Sequence, residues 1–187
     1  PCLMSILANS NAIDNGNNAI NNSLRFLSAS STYLARTPSI TSNQKTYTFS
    51  TWFKRGALGS VNTLFSAFYG NASRYTTFLV DSNDTMQINS GIYSTGASTT
   101  TSYNLITTQL FRDPAAWYHL VVAVDTTQAT SSNRVKVYIN GSQVTAFSTA
   151  TYPALNADGY VNVTTTTNYI GQLGNSSSYF DGYMAQM

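Results

Sequence analysis

The run Trp117-Tyr118-His119-Leu120-Val121-Val122-Ala123-Val124-Asp125 constrains this chain more than any other stretch. In an extended strand, successive side chains point to opposite faces. Tyr118, Leu120, Val122 and Val124 therefore share one face, and Trp117, His119, Val121 and Ala123 the other. Residues 134–139 repeat the pattern, with Val135, Val137 and Ile139 alternating against Arg134, Lys136 and Tyr138. Asn140-Gly141 follows, the strongest short hairpin signal, because both residues tolerate positive φ. Gln143 to Phe147 is then expected as the return strand.

The same period marks the upstream half. Tyr47, Phe49, Thr51 and Phe53 alternate with Thr48, Ser50, Trp52 and Lys54, and Arg55-Gly56 closes that run. Leu64 to Phe68 is a short apolar run ahead of Gly70-Asn71. Tyr75 to Val80 and Thr85 to Asn89 read as strands split by the turn residues Asp81-Ser82-Asn83-Asp84. Residues 94–104, rich in Ser and Thr, read as loop. Tyr169-Ile170-Gly171 and Tyr179 to Met187 read as the last strands. No segment keeps helical spacing for more than about two turns. Many short strands with regular turn signals predict an all-β fold, an antiparallel sandwich beginning at about residue 23. Residues 1–22 show neither period and are loaded with Asn and Gly. They read as an arm that is either disordered or ordered by a neighbour, with Met4 a plausible native start, which would make Pro1 to Leu3 foreign.

Charge narrows the function classes. Only 9% of the 187 residues are charged and the net charge is +2, so the polar surface must be built from Ser, Thr and Asn. Such a neutral surface, rich in hydroxyls and amides, suits a secreted, surface or virion protein in contact with sugars. The nine basic residues form no cluster, which argues against nucleic acid. No apolar run of about 18 residues exists to insert in a membrane as a helix. The single cysteine, Cys2, precludes an intrachain disulfide. All seven acidic residues are Asp. A glycosidase places two carboxylates across the scissile bond, and no strand here presents a pair. A nucleophilic triad would have to use His119, the one histidine.

With these segments placed, the motif order resembles a known family. Y-T-F-S-T-W-F-K, W-Y-H-L-V-V-A-V-D, V-K-V-Y-I-N-G, Y-I-G and F-D-G-Y-M-A are similar, in that order, to the laminin-G-like, concanavalin-A-like jelly-roll domains. The likeness spans residues 23–187. It implies that His119 belongs to a structural signature, and that the final strand continues past Met187. Related glucanases carry E-x-D-x-x-E on a strand, which this chain lacks. The runs S-L-R-F-L-S-A-S-S-T-Y-L-A-R-T-P, F-R-D-P-A-A-W-Y-H and S-S-Y-F-D-G-Y further resemble the version of the domain in marine-phage tail-fibre-like and virion surface proteins. That resemblance implies a non-catalytic structural protein on a virion surface: a tail fibre, head fibre or capsid decoration module. Its partners would be other virion proteins or further copies of itself (a trimer in a fibre), and host glycan. The alternative is a secreted, extracellular carbohydrate-binding or adhesion module.

Sugar faces stack on aromatic rings, and sugar hydroxyls seek planar polar groups. Tyr152, Asn156, Asp158 and Tyr160 in one predicted loop, with Tyr179 in another, are the candidate ligand-binding residues. Asp158 is also the candidate calcium ligand, with Asp81-Ser82-Asn83-Asp84 a second oxygen-rich turn. Asn-x-Ser/Thr sequons start at Asn21, Asn71, Asn83, Asn140, Asn162 and Asn175.

Overall fold

The structure is a computed structural model that describes residues 22–69, 74–92, 100–174 and 178–187. The expected arm, Cys2, the Pro1–Leu3 start and the sequons at Asn21, Asn71 and Asn175 lie outside these residues, Asn22 excepted.

Thirteen strands form two antiparallel sheets among the described residues. The first sheet holds β1 (Leu24–Phe26), β3 (Thr46–Arg55), β8 (Tyr118–Asp125), β9 (Val135–Ile139), β10 (Ser142–Gln143) and β13 (Gly182–Ala185), in the order β1-β13-β3-β8-β9-β10. The second holds β2 (Leu34–Arg36), β4 (Asn62–Tyr69), β5 (Arg74–Val80), β6 (Thr85–Ile92), β7 (Thr100–Leu110), β11 (Phe147–Thr151) and β12 (Thr166–Ile170), in the order β11-β7-β6-β5-β4-β12-β2. The remaining regular structure is two single turns of 3-10 helix, at Ser28–Ser30 and Ser131–Asn133. This is the antiparallel sandwich that the alternation predicts, in the two-sheet jelly-roll form that the family resemblance implies.

The core lies between the sheets. Leu120, Val122, Val135, Val137 and Met184 of the first sheet face Ala67, Val80, Met86, Ile88 and Leu105 of the second, all essentially buried. At mid-core Phe49 reaches across to Phe65 and Phe78, with ring centroids 5.1 and 5.4 Å away. Full burial of each such side chain contributes about 1.5–3 kcal/mol. The inner face of the second sheet also buries hydroxyls. Thr76 and Ser90 hydrogen-bond each other at 3.0 Å, and Thr107 Oγ1 accepts the Met86 N–H.

Most of the predicted strands form, and three expectations need correction. Residues 100–104 are strand, not loop: they open the eleven-residue β7, whose Tyr103, Leu105 and Thr107 point into the core. The return from Asn140-Gly141 stops at Gln143, and after Val144 the chain crosses to the other sheet, where Phe147 starts β11 against β7. The terminal strand covers only Gly182–Ala185, with Tyr179 held upstream by an isolated bridge to Gln172. The hairpin itself forms as expected, with φ 51° at Asn140 and 80° at Gly141.

Candidate functional site

The residues nominated from sequence separate into two places. Tyr152, Asn156, Asp158 and Tyr160 lie on the segment from β11 to β12, which crosses one end of the sandwich. There the Asn156 N–H bonds Thr126 O, and the Gly159 N–H bonds Gln44 O. Tyr152 packs against the core, Asn156 takes φ 58° in a turn, and the exposed Asp158 lies 3.9 Å from Lys45 Nζ. Burial raises the Tyr160 phenol above its ordinary range, against the opposing pull of Arg74. Neither depression described below is lined by these four residues. Tyr179 sits at the opposite end.

The calcium reading meets other occupations of the same oxygens. Asp81 Oδ1 accepts the N–H groups of Asn83 and Thr85 within its own turn. Asp84 is taken up by Arg55, Arg112 and Gly59. Among the described residues no three His, Cys, Asp or Glu gather as a metal set. His119 is a sheet residue on the outer face of the first sheet, paired with Trp52 and bonded through Nε2 to Ser50 Oγ at 3.0 Å.

Around Tyr179 the structure builds a more suggestive arrangement from distant segments. In Tyr179-Phe180-Asp181 the middle ring is fully buried against Phe26, so its two neighbours turn outward together. Tyr33, ahead of β2, stands 6.4 Å from Tyr179 and 6.0 Å from Tyr169 of β12. The three rings form one tier, and Tyr33 is 46% exposed. Beside Tyr179 lies a depression of about 350 Å³, lined also by Ser28, Ser60, Val61, Asn62, Ser178 and Asp181.

Its walls are fixed from beneath. Asp181 Oδ2 accepts from the backbone N–H and the hydroxyl of Ser28, at 3.3 and 3.0 Å. Asn62 Oδ1 accepts the Asp181 N–H, while its amide donates to Ser60 O. The 56–61 loop is pinned by Asp84, whose Oδ1 accepts the Gly59 N–H at 3.0 Å. Asp84 in turn holds the fully buried Arg55 guanidinium at 2.8 Å and Arg112 at 3.1 Å. The Gly59 N–H, then the two guanidinium partners, hold the Asp84 carboxyl below its ordinary range. Asp181 itself has no ion pair among the described residues.

Chemically this is a partly apolar, hydroxyl-lined hollow with one carboxylate acceptor beside aromatic faces, the mix a small polar ligand requires. The Ser28 hydroxyl meets a carboxylate rather than a histidine, and His119 lies on a different surface. Of the residues nominated from sequence, Tyr179 belongs to this arrangement, and Tyr33, Tyr169, Ser28 and Asp181 were not among those nominated. The one signal available was the alternation Tyr179-Phe180-Asp181, which puts ring and carboxylate on the same side.

A family model described as the concanavalin A-like lectin/glucanases superfamily matches residues 28–187. The chain belongs to that superfamily. Among solved structures it is similar to domains LG4-5 of the mouse laminin α1 chain, at TM-score 0.60 and 11% identity over 93% of this chain and 43% of that one. It is also similar to the CBM40 module of Ruminococcus gnavus IT-sialidase bound to α2,6-sialyllactose, at TM-score 0.53 and 12% identity over 88% and 90% of the two chains. The chain thus spans less than half of the laminin chain it matches and nearly all of the R. gnavus module. At these identities the likeness is one of fold. No curated protein sequence matches the chain. The superfamily name covers both lectins and glucanases.

Proposed function

We propose that this chain is a non-catalytic glycan-binding or adhesion module that takes its ligand at the Tyr33–Tyr169–Tyr179 tier and the hollow beside it. The observation that carries this reading is that Tyr179 belongs both to the tier and to the wall of a depression where Asp181 and three serines present hydrogen-bonding groups. A sugar ring stacked on Tyr33 or Tyr179 would direct its hydroxyls toward Asp181, Ser28 and Ser60. The likeness to a module solved with a bound sialyllactose supports the class of ligand. The test is a glycan array followed by titration of the best hit against the wild type and Tyr33→Ala. Loss of one exposed aromatic anchor should weaken binding by about 30-fold, close to 2 kcal/mol. A wild type that binds no glycan, or a variant that binds as well as the wild type, overturns the proposal.

The carrier we propose is a phage virion surface, where the module would belong to a fibre or decoration protein beside other virion proteins or copies of itself. Its support is the sequence likeness of the runs given above. A secreted extracellular module remains the alternative carrier and is equally consistent with the family. Mass and stoichiometry of the native assembly separate the two. Fixed copy number with capsid or tail proteins supports the virion, and a free monomer refutes it.

A further inference from the structure

A second hollow, of about 240 Å³, lies where the chain leaves β2 and crosses toward β3. Arg36, Pro38, Ser39, Ile40, Ser42, Asn162 and Asn168 line it, a different residue set from the tyrosine hollow. The crossover is stitched to the strand opposite at several points. Thr37 Oγ1 lies 2.8 Å from Thr167 Oγ1, and Thr41 Oγ1 accepts the Thr164 N–H. The Ser42 N–H bonds Asn162 O, and the Asn162 amide donates to Asn43 O. The walls are therefore set before any ligand arrives, which lowers the ordering cost of binding.

The hollow brings together a cation, two amides, two hydroxyls and an apolar rim. Arg36 and Asn168 are register partners on β2 and β12, so their side chains leave the sheet on the same face and both line the hollow. Among the described residues Arg36 makes no ion pair, although it carries one of only nine basic charges in the chain. Asn168 Oδ1 is buried without a hydrogen-bond partner, and a buried unsatisfied polar group asks for an explanation. At the rim Ile40 is 77% exposed, the largest exposure of any large apolar residue described, with Pro38 beside it.

We propose that this hollow binds a single carboxylate-bearing sugar residue. The guanidinium takes the carboxylate through paired N–H groups, a geometry that suits Arg more than Lys. Ser39 and Ser42 face the ring hydroxyls, and Ile40 with Pro38 covers an apolar substituent such as an acyl methyl. The volume fits one ring and not an extended peptide, which also tells against an acidic protein segment as the occupant.

The test is amide chemical-shift mapping on the full chain with five free probes: glucuronate, glucose, 3′-sialyllactose, lactose and, as a control, acetate. The expected result is saturable shifts at Ser39, Ile40, Ser42 and Asn162 with both acidic probes, and affinity at least about tenfold weaker for each neutral counterpart. Arg36→Gln should abolish that preference, Arg36→Lys should keep part of it, and Tyr33→Ala should leave it intact. The last variant separates this site from the tyrosine tier, so either proposal can fail alone. No shift with either acidic probe, equal affinity for neutral and acidic probes, an effect of acetate equal to that of glucuronate, or a preference that survives Arg36→Gln in a folded variant each overturns it.

Discussion

His119 lies flat on Trp52: the rings are 4.8 Å apart at 18°, and their residues are direct cross-strand partners on β8 and β3. The histidine in the family signature is therefore a packing element of the outer sheet face. It is neutral by preference, since partial burial lowers its pKa below the ordinary 6.5.

Tryptophan fluorescence should report that titration. Protonation of a stacked imidazole quenches the indole beside it, and only Trp52 and Trp117 emit. The emission should fall on acidification with a midpoint below 6.5, and His119→Gln should remove the step. With the folded pKa depressed, the unfolded chain binds the proton first. Stability is then full above the unfolded pKa and declines as pH falls through the window down to the folded one. A midpoint at or above 6.5 would contradict the stacking account.

Asp84→Ala should be among the most damaging single changes. It strips the carboxylate from Arg55, whose side chain is fully buried and whose Nε and Nη2 already lack partners. An uncompensated buried guanidinium costs about 3–5 kcal/mol, read by urea unfolding. Arg112→Ala, which removes a largely exposed partner, should cost no more than about 1 kcal/mol. Because the Asp84 pKa is lowered, its contribution is present above the unfolded pKa and is lost as pH falls through the folded one. Equal losses for the two variants would refute the buried-charge account.

Gly182 has φ 141°, and a Cβ there would stand 2.0 Å from Lys54 O. That contact is with backbone of the neighbouring strand, which cannot step aside without breaking the β13–β3 ladder. Gly182→Ala should therefore destabilise by about 3 kcal/mol, whereas Gly141→Ala meets open space and should cost only its φ strain. Thermal unfolding of the two variants side by side decides it.

The hydroxyls of Tyr47 and Tyr103 meet at 3.1 Å inside the sandwich. Burial pushes the Tyr103 phenol up to about 12, and that of Tyr47 well above its ordinary range. In an alkaline spectrophotometric titration these two should stay protonated while exposed tyrosines ionise. Both folded pKa values lie above the unfolded 10, so stability is complete below pH 10 and is lost as pH rises toward the folded values. Normal ionisation of all tyrosines in the folded state would show the pair to be open.

The parts of the fold legible in the sequence are those where one sheet face is apolar and the other is not. Leu120, Val122 and Val124 repeat against His119, Val121 and Ala123, so β8 and its faces follow directly from alternation. The start of β7 escapes the same reading because the inner face of its sheet accepts hydroxyls. Thr76, Ser90 and Thr107 are buried with partners, so polarity no longer separates the inside from the outside. The exit of the chain after Gln143 is a tertiary event, which no local pattern marks. The site divides likewise. Tyr179 and Asp181 are neighbours in sequence, whereas Tyr33, Tyr169 and Ser28 reach them only through the pairing of β12 with β2 and the docking of the first 3-10 turn on Asp181.

The abrupt end of β10 has a consequence for how copies of this protein meet. The four outermost strands, β10, β1, β11 and β2, run for only two, three, five and three residues. Unpaired backbone at a sheet margin is a template for another chain, and natural sequences often guard it with charge. Among the described residues β1 and β2 carry one arginine each, Arg25 and Arg36, and β10 carries no charge. Three of the four margins offer only two or three residues of backbone, so a second copy finds little ladder there to extend.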